Sequence, residues 1–113
     1  MSDTIFAKII DRQIPADIVY EDDLCLAFND INPQAPVHIL LIPKKPIAKL
    51  VDSETADQDM LGHLMLKAAV IARDQGVGEA FRLVVNNGAE AGQEVFHLHL
   101  HILGGRSFNW PPG

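Results

Sequence analysis

Cysteine is almost absent: Cys25 stands alone in a chain of 113 residues, so no intrachain disulfide can form. A reducing compartment is the natural setting for such a chain. Long apolar runs are missing as well. No stretch approaches the roughly 20 residues that cross a bilayer, and Met1-Ser2-Asp3-Thr4 leads straight into mixed apolar and charged sequence rather than the apolar core of a secretory leader. The expectation is a cytoplasmic protein with no membrane partner. Basic charge is scarce too, with 9 Lys and Arg against 15 Asp and Glu and a net charge of −6. Binding nucleic acid by neutralising its phosphates needs a Lys/Arg cluster. The nearest thing is Lys44-Lys45 with Lys49, which reads as the solvated start of a loop. Nucleic acid is therefore not an expected partner, whereas a small anionic ligand remains compatible because a pocket sets its own local field. Internal repeats and low-complexity linkers are also lacking, and the length suits one core rather than two.

What is present is ordered punctuation. A short helix is expected over about residues 4–12, capped by Asp3, burying Ile5, Phe6, Ile9 and Ile10, and ended before Pro15. Strands near 18–21 and 24–29, separated by Glu21-Asp22-Asp23, read as a hairpin, with Leu26, Phe28 and Asp30 on one face. A third strand over 37–42 places His38, Leu40 and Ile42 on one side and Val37, Ile39 and Leu41 on the other. From about 55 to 75, Leu61, Leu64, Met65, Ala68, Ile71 and Ala72 follow helical spacing, with Asp57 and Asp59 early, Arg73 late and Gly76 as the stop. Strand four is expected over 81–86. A glycine-containing loop to Gln93 follows, and then strand five, about 95–103. The pattern predicts an α+β fold: a five-stranded antiparallel sheet with one long and one short helix, the helices largely on one face.

Strand five carries the chemical argument. Alternate side chains of a strand share a face, so His97, His99 and His101 form one line, and Phe96, Leu98, Leu100 and Ile102 form an apolar face that can pack under the long helix. Three readings compete. Solvent-facing histidines without a task fit poorly with so regular an alternation. A metal site is a second reading: residues i and i+2 lie about 6.6 Å apart, so two imidazoles can converge on one ion with His38 as a third, but a row of three spans about 13 Å. The third is phosphoryl or nucleotidyl transfer. A neutral imidazole is a competent nucleophile, neighbouring histidines disfavour further protonation, and flanking rings can donate hydrogen bonds to phosphoryl oxygens or a leaving group. Backbone N–H groups of the loop ending at Gly92-Gln93 could face the phosphate. His63, alone on the long helix, reads as an ordinary helix residue. For Phe6, Ile9, Phe28 and Ile31 plain core packing is the simplest reading, and Asp30 alone reads as a turn residue.

The run His97-Leu98-His99-Leu100-His101-Ile102-Leu103 matches in full the signature His-φ-His-φ-His-φ-φ (φ apolar) of the histidine triad (HIT) superfamily, which the sequence resembles over nearly its whole length. The resemblance includes Asp30-Ile31, Pro33-Gln34-Ala35-Pro36, Ile42-Pro43-Lys44-Lys45, Gly92-Gln93, Leu103-Gly104-Gly105-Arg106 and Trp110-Pro111-Pro112-Gly113. The last two point to the histidine triad nucleotide-binding branch, and the chain looks most like its bacterial members. The resemblance implies a single HIT domain over 1–113 with a C-terminal tail of about 107–113, and a purine nucleoside 5′-phosphoramidate hydrolase acting on AMP or GMP derivatives. It implies His99 as nucleophile, its Nδ1–H fixed by the His97 carbonyl and its Nε2 free to attack. His101 would contact the phosphate or departing group, and His38 would complete the cluster. Asp30 would accept from the ribose hydroxyls, Phe6, Ile9, Phe28, Ile31 and Leu40 would hold the base, and Asn86, Gln93 and Val95 would stand on the phosphate side. No metal and no cofactor is implied. A homodimer is, with Trp110 on the tail reaching towards the partner's site.

Glu94 departs from the branch pattern, which carries Ser there. A carboxylate beside a phosphate repels it unless protonated or turned away, or it binds a cationic amine on the leaving group. Two other functions stay open at this point: dinucleoside polyphosphate hydrolysis, and non-catalytic nucleotide binding.

Overall fold

The computed structural model describes residues 4–113. The helix α1 spans Ile5–Ile10 and is capped by Thr4, whose Oγ1 accepts from the Ala7 N–H at 3.1 Å. The cap expected from Asp3 lies outside the described residues. Strands β1 (Ile18–Glu21), β2 (Cys25–Asn29), β3 (Val37–Pro43), β4 (Phe81–Val84) and β5 (Leu100–Gly104) form one antiparallel sheet in the order β1-β2-β3-β5-β4. Between β3 and β4, a turn of 3₁₀ helix at Thr55–Asp57 runs into helix α2 (Gln58–Asp74). Asp57 and Glu54 close a capping box there, and the buried Asp57 carboxylate also takes Lys45. None of the described helices is long and apolar enough to cross a membrane.

The α+β class and the five-stranded antiparallel sheet are as the periodicity predicts, but the helices lie on opposite faces rather than one. Strands β2 and β3 are buried on both sides. Cys25, Ala27, Ile39, Leu41, Leu98, Leu100 and Ile102 pack with Met60, Leu64, Ala68, Ile71 and Ala72 of α2. The alternate residues Leu26, Phe28, Leu40 and Ile42 pack with Phe6 and Ile9 of α1. A strand with two apolar faces needs a cover on each, and α1 is the second cover. The α2 stripe is also rotated from the expected one. Met60 is buried, whereas Met65 and Leu66 are exposed. Leu64 sits at the centre of the α2 face with 1% exposure, so Leu64→Ala is expected to cost about 2–5 kcal/mol, readable as a lowered urea midpoint.

Strands four and five are shorter than their composition suggests. The ladder of β4 stops at Val84, and that of β5 begins only at Leu100, so residues 95–99 approach the sheet without pairing in it. At its other end, Gly104 lies so close to Val77 that a Cβ would stand 2.7 Å from it, and Gly105 has φ +90°. The pair is thus dictated by close approach and by backbone hand.

Candidate active site

The α1 side of the sheet opens into a cavity of about 350 Å³. Among its walls are Phe6 and Ile9 of α1, Phe28 and Leu40 of the sheet, Asp30 and Ile31 just past β2, and Val95, His99 and His101. Phe6 is the pivot: its ring meets Phe28 edge-on at 5.5 Å and His99 at 5.0 Å between centroids. Ile31 is 99% exposed and stands at the rim.

The three histidines keep one side of the chain even where the ladder is absent. Leu98, Leu100 and Ile102 enter the α2 core, while the rings of His97 and His99 meet Phe6 on the cavity side. Phe96 breaks the expected apolar row; it is 42% exposed because the chain bends at 95–97 before the ladder starts.

Each ring has a distinct task, readable from its partners. His97 is buried, and its Nε2–H donates to the Pro43 carbonyl at 2.8 Å, fastening the incoming segment to the end of β3. Its Nδ1 is then a bare, buried acceptor with no partner among the described residues. Burial pushes its basicity down, against the Pro43 carbonyl and together with neighbouring His99. The His97 carbonyl accepts from His99 Nδ1–H at 2.8 Å. That bond fixes the His99 tautomer and leaves Nε2 with its lone pair, unpartnered, on the cavity wall.

A second chain of bonds sets the opposite tautomer at His101. The Gln34 N–H donates to His38 Nδ1 at 3.0 Å, so the neutral His38 carries its proton on Nε2. That Nε2 faces His101 Nδ1 at 2.9 Å and gives it the proton to accept. His101 is left with a proton on Nε2, the mirror image of His99. Asp30 stands 3.4 Å from His38 Nε2 and otherwise holds the turn through the Asn32 N–H. Burial pushes His38 below its ordinary value, with Asp30 opposing. Burial, then the nearby His99 and His38, push His101 down to about 4, again against Asp30.

These shifts have a consequence for stability. His101 in the unfolded chain titrates near 6.5, so below that pH the unfolded state binds a proton that the native state refuses. Stability is full above about 6.5 and falls as the pH drops towards about 4. The thermal midpoint is expected to fall across that window, and less steeply in a His101→Gln variant.

Other residues singled out from sequence sit differently. Gln93 is 3% exposed and spends its amide inside the protein: Nε2–H₂ donates to the Ala48 and Val95 carbonyls, and Oε1 accepts from the Gly88 N–H. No donor is left for a phosphate, so its side chain braces the loop beside the cavity. Asn86 is not among the lining residues, though its Nδ2 stands beside Gly92, which is. Trp110 is 83% exposed on the tail and lies away from the cavity of its own chain. The tail is tied back by Phe108, stacked under Arg106 and Arg82, and by Arg82 Nη2–H donating to the Asn109 carbonyl at 3.0 Å.

The walls also include Gly92 and Glu94, expected near the phosphate, and Ile5, the loop Ile14-Pro15-Ala16-Asp17 and Asn29, for which the sequence predicts no place in the site. The Ile5–Ile9 spacing of four marks one helix face and could have signalled Ile5. The loop carries no local pattern that distinguishes a wall from a connection.

Among the described residues, two groups bring three metal-ligating side chains together: Asp30, His38 and His101 at this site, and Asp22, Cys25 and His63 elsewhere. At the first, the His38 lone pair is taken by the Gln34 N–H and its other nitrogen is protonated. Coordination there would require an imidazolate, so that arrangement does not suit a metal.

Comparison with known proteins agrees with this geometry. The HIT domain matches residues 11–108. A HIT-like protein of Synechocystis sp. is 70% identical over 98% of this chain and 97% of its own. A 14 kDa zinc-binding protein of Brassica juncea is 51% identical over 98% of this chain and 100% of its own. The crystal structure of a HIT family hydrolase from Legionella pneumophila superposes with a TM-score of 0.96 at 47% identity, covering 98% of this chain and all of that one. The chain belongs to the HIT family.

Proposed function

We propose that the chain hydrolyses purine nucleoside 5′-phosphoramidates through a nucleotidyl-His99 intermediate. The observation that carries this reading is the pair of opposite tautomers on one wall: His99 offers a lone pair at Nε2, and His101 offers a proton at its own Nε2. The apolar walls Phe6, Ile9, Phe28 and Leu40 suit a purine, and Asp30 beside them suits ribose hydroxyls.

An anionic phosphate in the site offsets the burial that keeps the His38–His101 pair neutral, so substrate brings one proton onto the pair, at His38 Nδ1 in place of the Gln34 contact. His99 Nε2 then attacks phosphorus and the P–N bond breaks. His101 passes its Nε2 proton to the departing amine and takes the proton of His38 Nε2 at its own Nδ1, and the His99–P bond carries the nucleotide. Water attacks next and gives one proton back to His101, the His99–P bond breaks, and the monophosphate leaves. His99 Nδ1–H stays on the His97 carbonyl throughout, so its positive charge in the adduct meets an acceptor. The Glu94 carboxylate, on the same wall, acts on the choice of amine rather than on the two displacements.

The test is a quenched reaction with an adenosine phosphoramidate: mass spectrometry should place one nucleotidyl group on His99. Turnover should exceed that of a diadenosine polyphosphate and should survive a chelator. Faster polyphosphate cleavage, or an adduct elsewhere, would replace this reading.

The chain also fits assembly as a homodimer. Leu50, Leu61, Met65 and Val85 line an apolar groove on the α2 side, next to the open edge strand β4. Sedimentation equilibrium is expected to give twice the 12.4 kDa chain mass.

A further inference from the structure

On the opposite face of the sheet from the cavity, three elements converge: the β1–β2 turn with Asp22, the start of β2 with Cys25, and α2 with His63. One ligand atom from each lies within 4.8 Å of the others. We propose that Asp22, Cys25 and His63 form a binding site for a zinc-class divalent cation, distinct from the histidine cavity.

The donor set fits that class. A thiolate, an imidazole nitrogen and a carboxylate oxygen are the mixed S, N and O ligands that Zn²⁺ takes at about 2.0–2.3 Å, with a water in the fourth place. Asp22 is already in its charged form. Burial opposes that charge, but hydrogen bonds from Tyr20, His63 and the Leu24 and Cys25 N–H groups hold the carboxyl well below the usual carboxylate range. Its Oδ1 accepts the two backbone N–H groups at 2.8 and 2.9 Å and shapes the turn, while Oδ2 accepts from Tyr20 at 2.7 Å and meets His63 Nε2 at 2.6 Å. For an ion to enter, the His63 contact must open and the Cys25 thiol must give up its proton and its hydrogen bond to Asp22.

His63 can make that change, and this separates it from His38. No other hydrogen bond holds the His63 ring among the described residues, and its side chain is 26% exposed. Its proton can move to Nδ1 and be met by water, which frees the Nε2 lone pair for the metal. The contact then opens from 2.6 Å to the roughly 3.3 Å that two ligands of one tetrahedral ion require. With Asp22 24% exposed, an ion reaches the cluster from solvent. Cys25 is fully buried, and burial followed by Asp22 pushes its thiol up to about 12. Binding therefore releases one proton: the S–H bond breaks, the S–metal bond forms, and the proton goes to solvent. The ion would tie the first hairpin to the long helix.

Cobalt(II) is the probe, because a thiolate-to-cobalt charge-transfer absorption needs a cysteine and Cys25 is the only one in the chain. The reduced protein is expected to develop that band and saturate it near one equivalent. A His38→Ala/His101→Ala variant should keep it, and Cys25→Ser should lose it. His63→Gln, at a partly exposed position, should weaken cobalt binding by more than about tenfold, the loss expected for removing even an outer partner. That variant stands as the decisive one if Cys25→Ser does not fold. Zinc should displace the cobalt and raise the thermal midpoint of the wild type more than that of His63→Gln. No charge-transfer band in the wild type, or a band that His63→Gln leaves unchanged, overturns the proposal.

Discussion

The His99→Ala variant is expected to lose phosphoramidate hydrolysis by about 10⁴-fold or more, with no nucleotidyl adduct, while AMP binding changes only a few-fold. The expectation follows from how little of the cavity that ring supplies and how much of the chemistry. Base and ribose are held by Phe6, Ile9, Phe28, Leu40 and Asp30, which the substitution leaves in place. The lone pair at Nε2 has no substitute, since the bare nitrogen of His97 is buried away from the walls and that of His101 is occupied by His38. Single-turnover kinetics with calorimetric AMP binding measure both halves. Residual turnover above a hundredth of wild type would move the nucleophile elsewhere.

His101→Ala is expected to lose about 10²–10⁴-fold, the ordinary yield of a positioned acid–base group, and the loss should depend on the amine. A poor leaving group needs the His101 proton before the P–N bond can break; an activated one, such as an electron-poor aryl amine, departs with less help. The ratio of wild-type to variant kcat/KM should therefore shrink as the leaving group improves, while the adduct on His99 still forms. A loss independent of leaving group would confine His101 to holding the phosphate.

Which parts of this site were legible in the sequence follows from the range of the forces that build it. The alternation of His97 to Ile102 is local, set by the extended backbone, and places the rings on one side and Leu98, Leu100 and Ile102 on the other. The tautomers are not local. They depend on Gln34, His38 and the carbonyls of Pro43 and His97, which the fold brings together. The beginning of β5 at Leu100 is equally a property of pairing. Val37–Leu41 offers its register to residues 100–104, and the preceding segment hangs from the Pro43 and Ile47 carbonyls instead. On α2, helical spacing gives a stripe but not its centre, so Met65 and Met60 exchange places once the sheet beneath is fixed. The face taken by α1 was hidden for a related reason: β2 and β3 are apolar throughout, and such runs do not say which layer covers which side.

That doubly covered sheet has a practical corollary for anyone wishing to redesign the chain. Along β3, Leu40 looks into the cavity while Ile39 and Leu41 look into the packing under α2. Recognition and durability are thus interleaved at single-residue intervals on one strand. Substitution at Leu40 would re-tailor the ligand pocket, whereas substitution at Ile39 or Leu41 would tune resistance to heat.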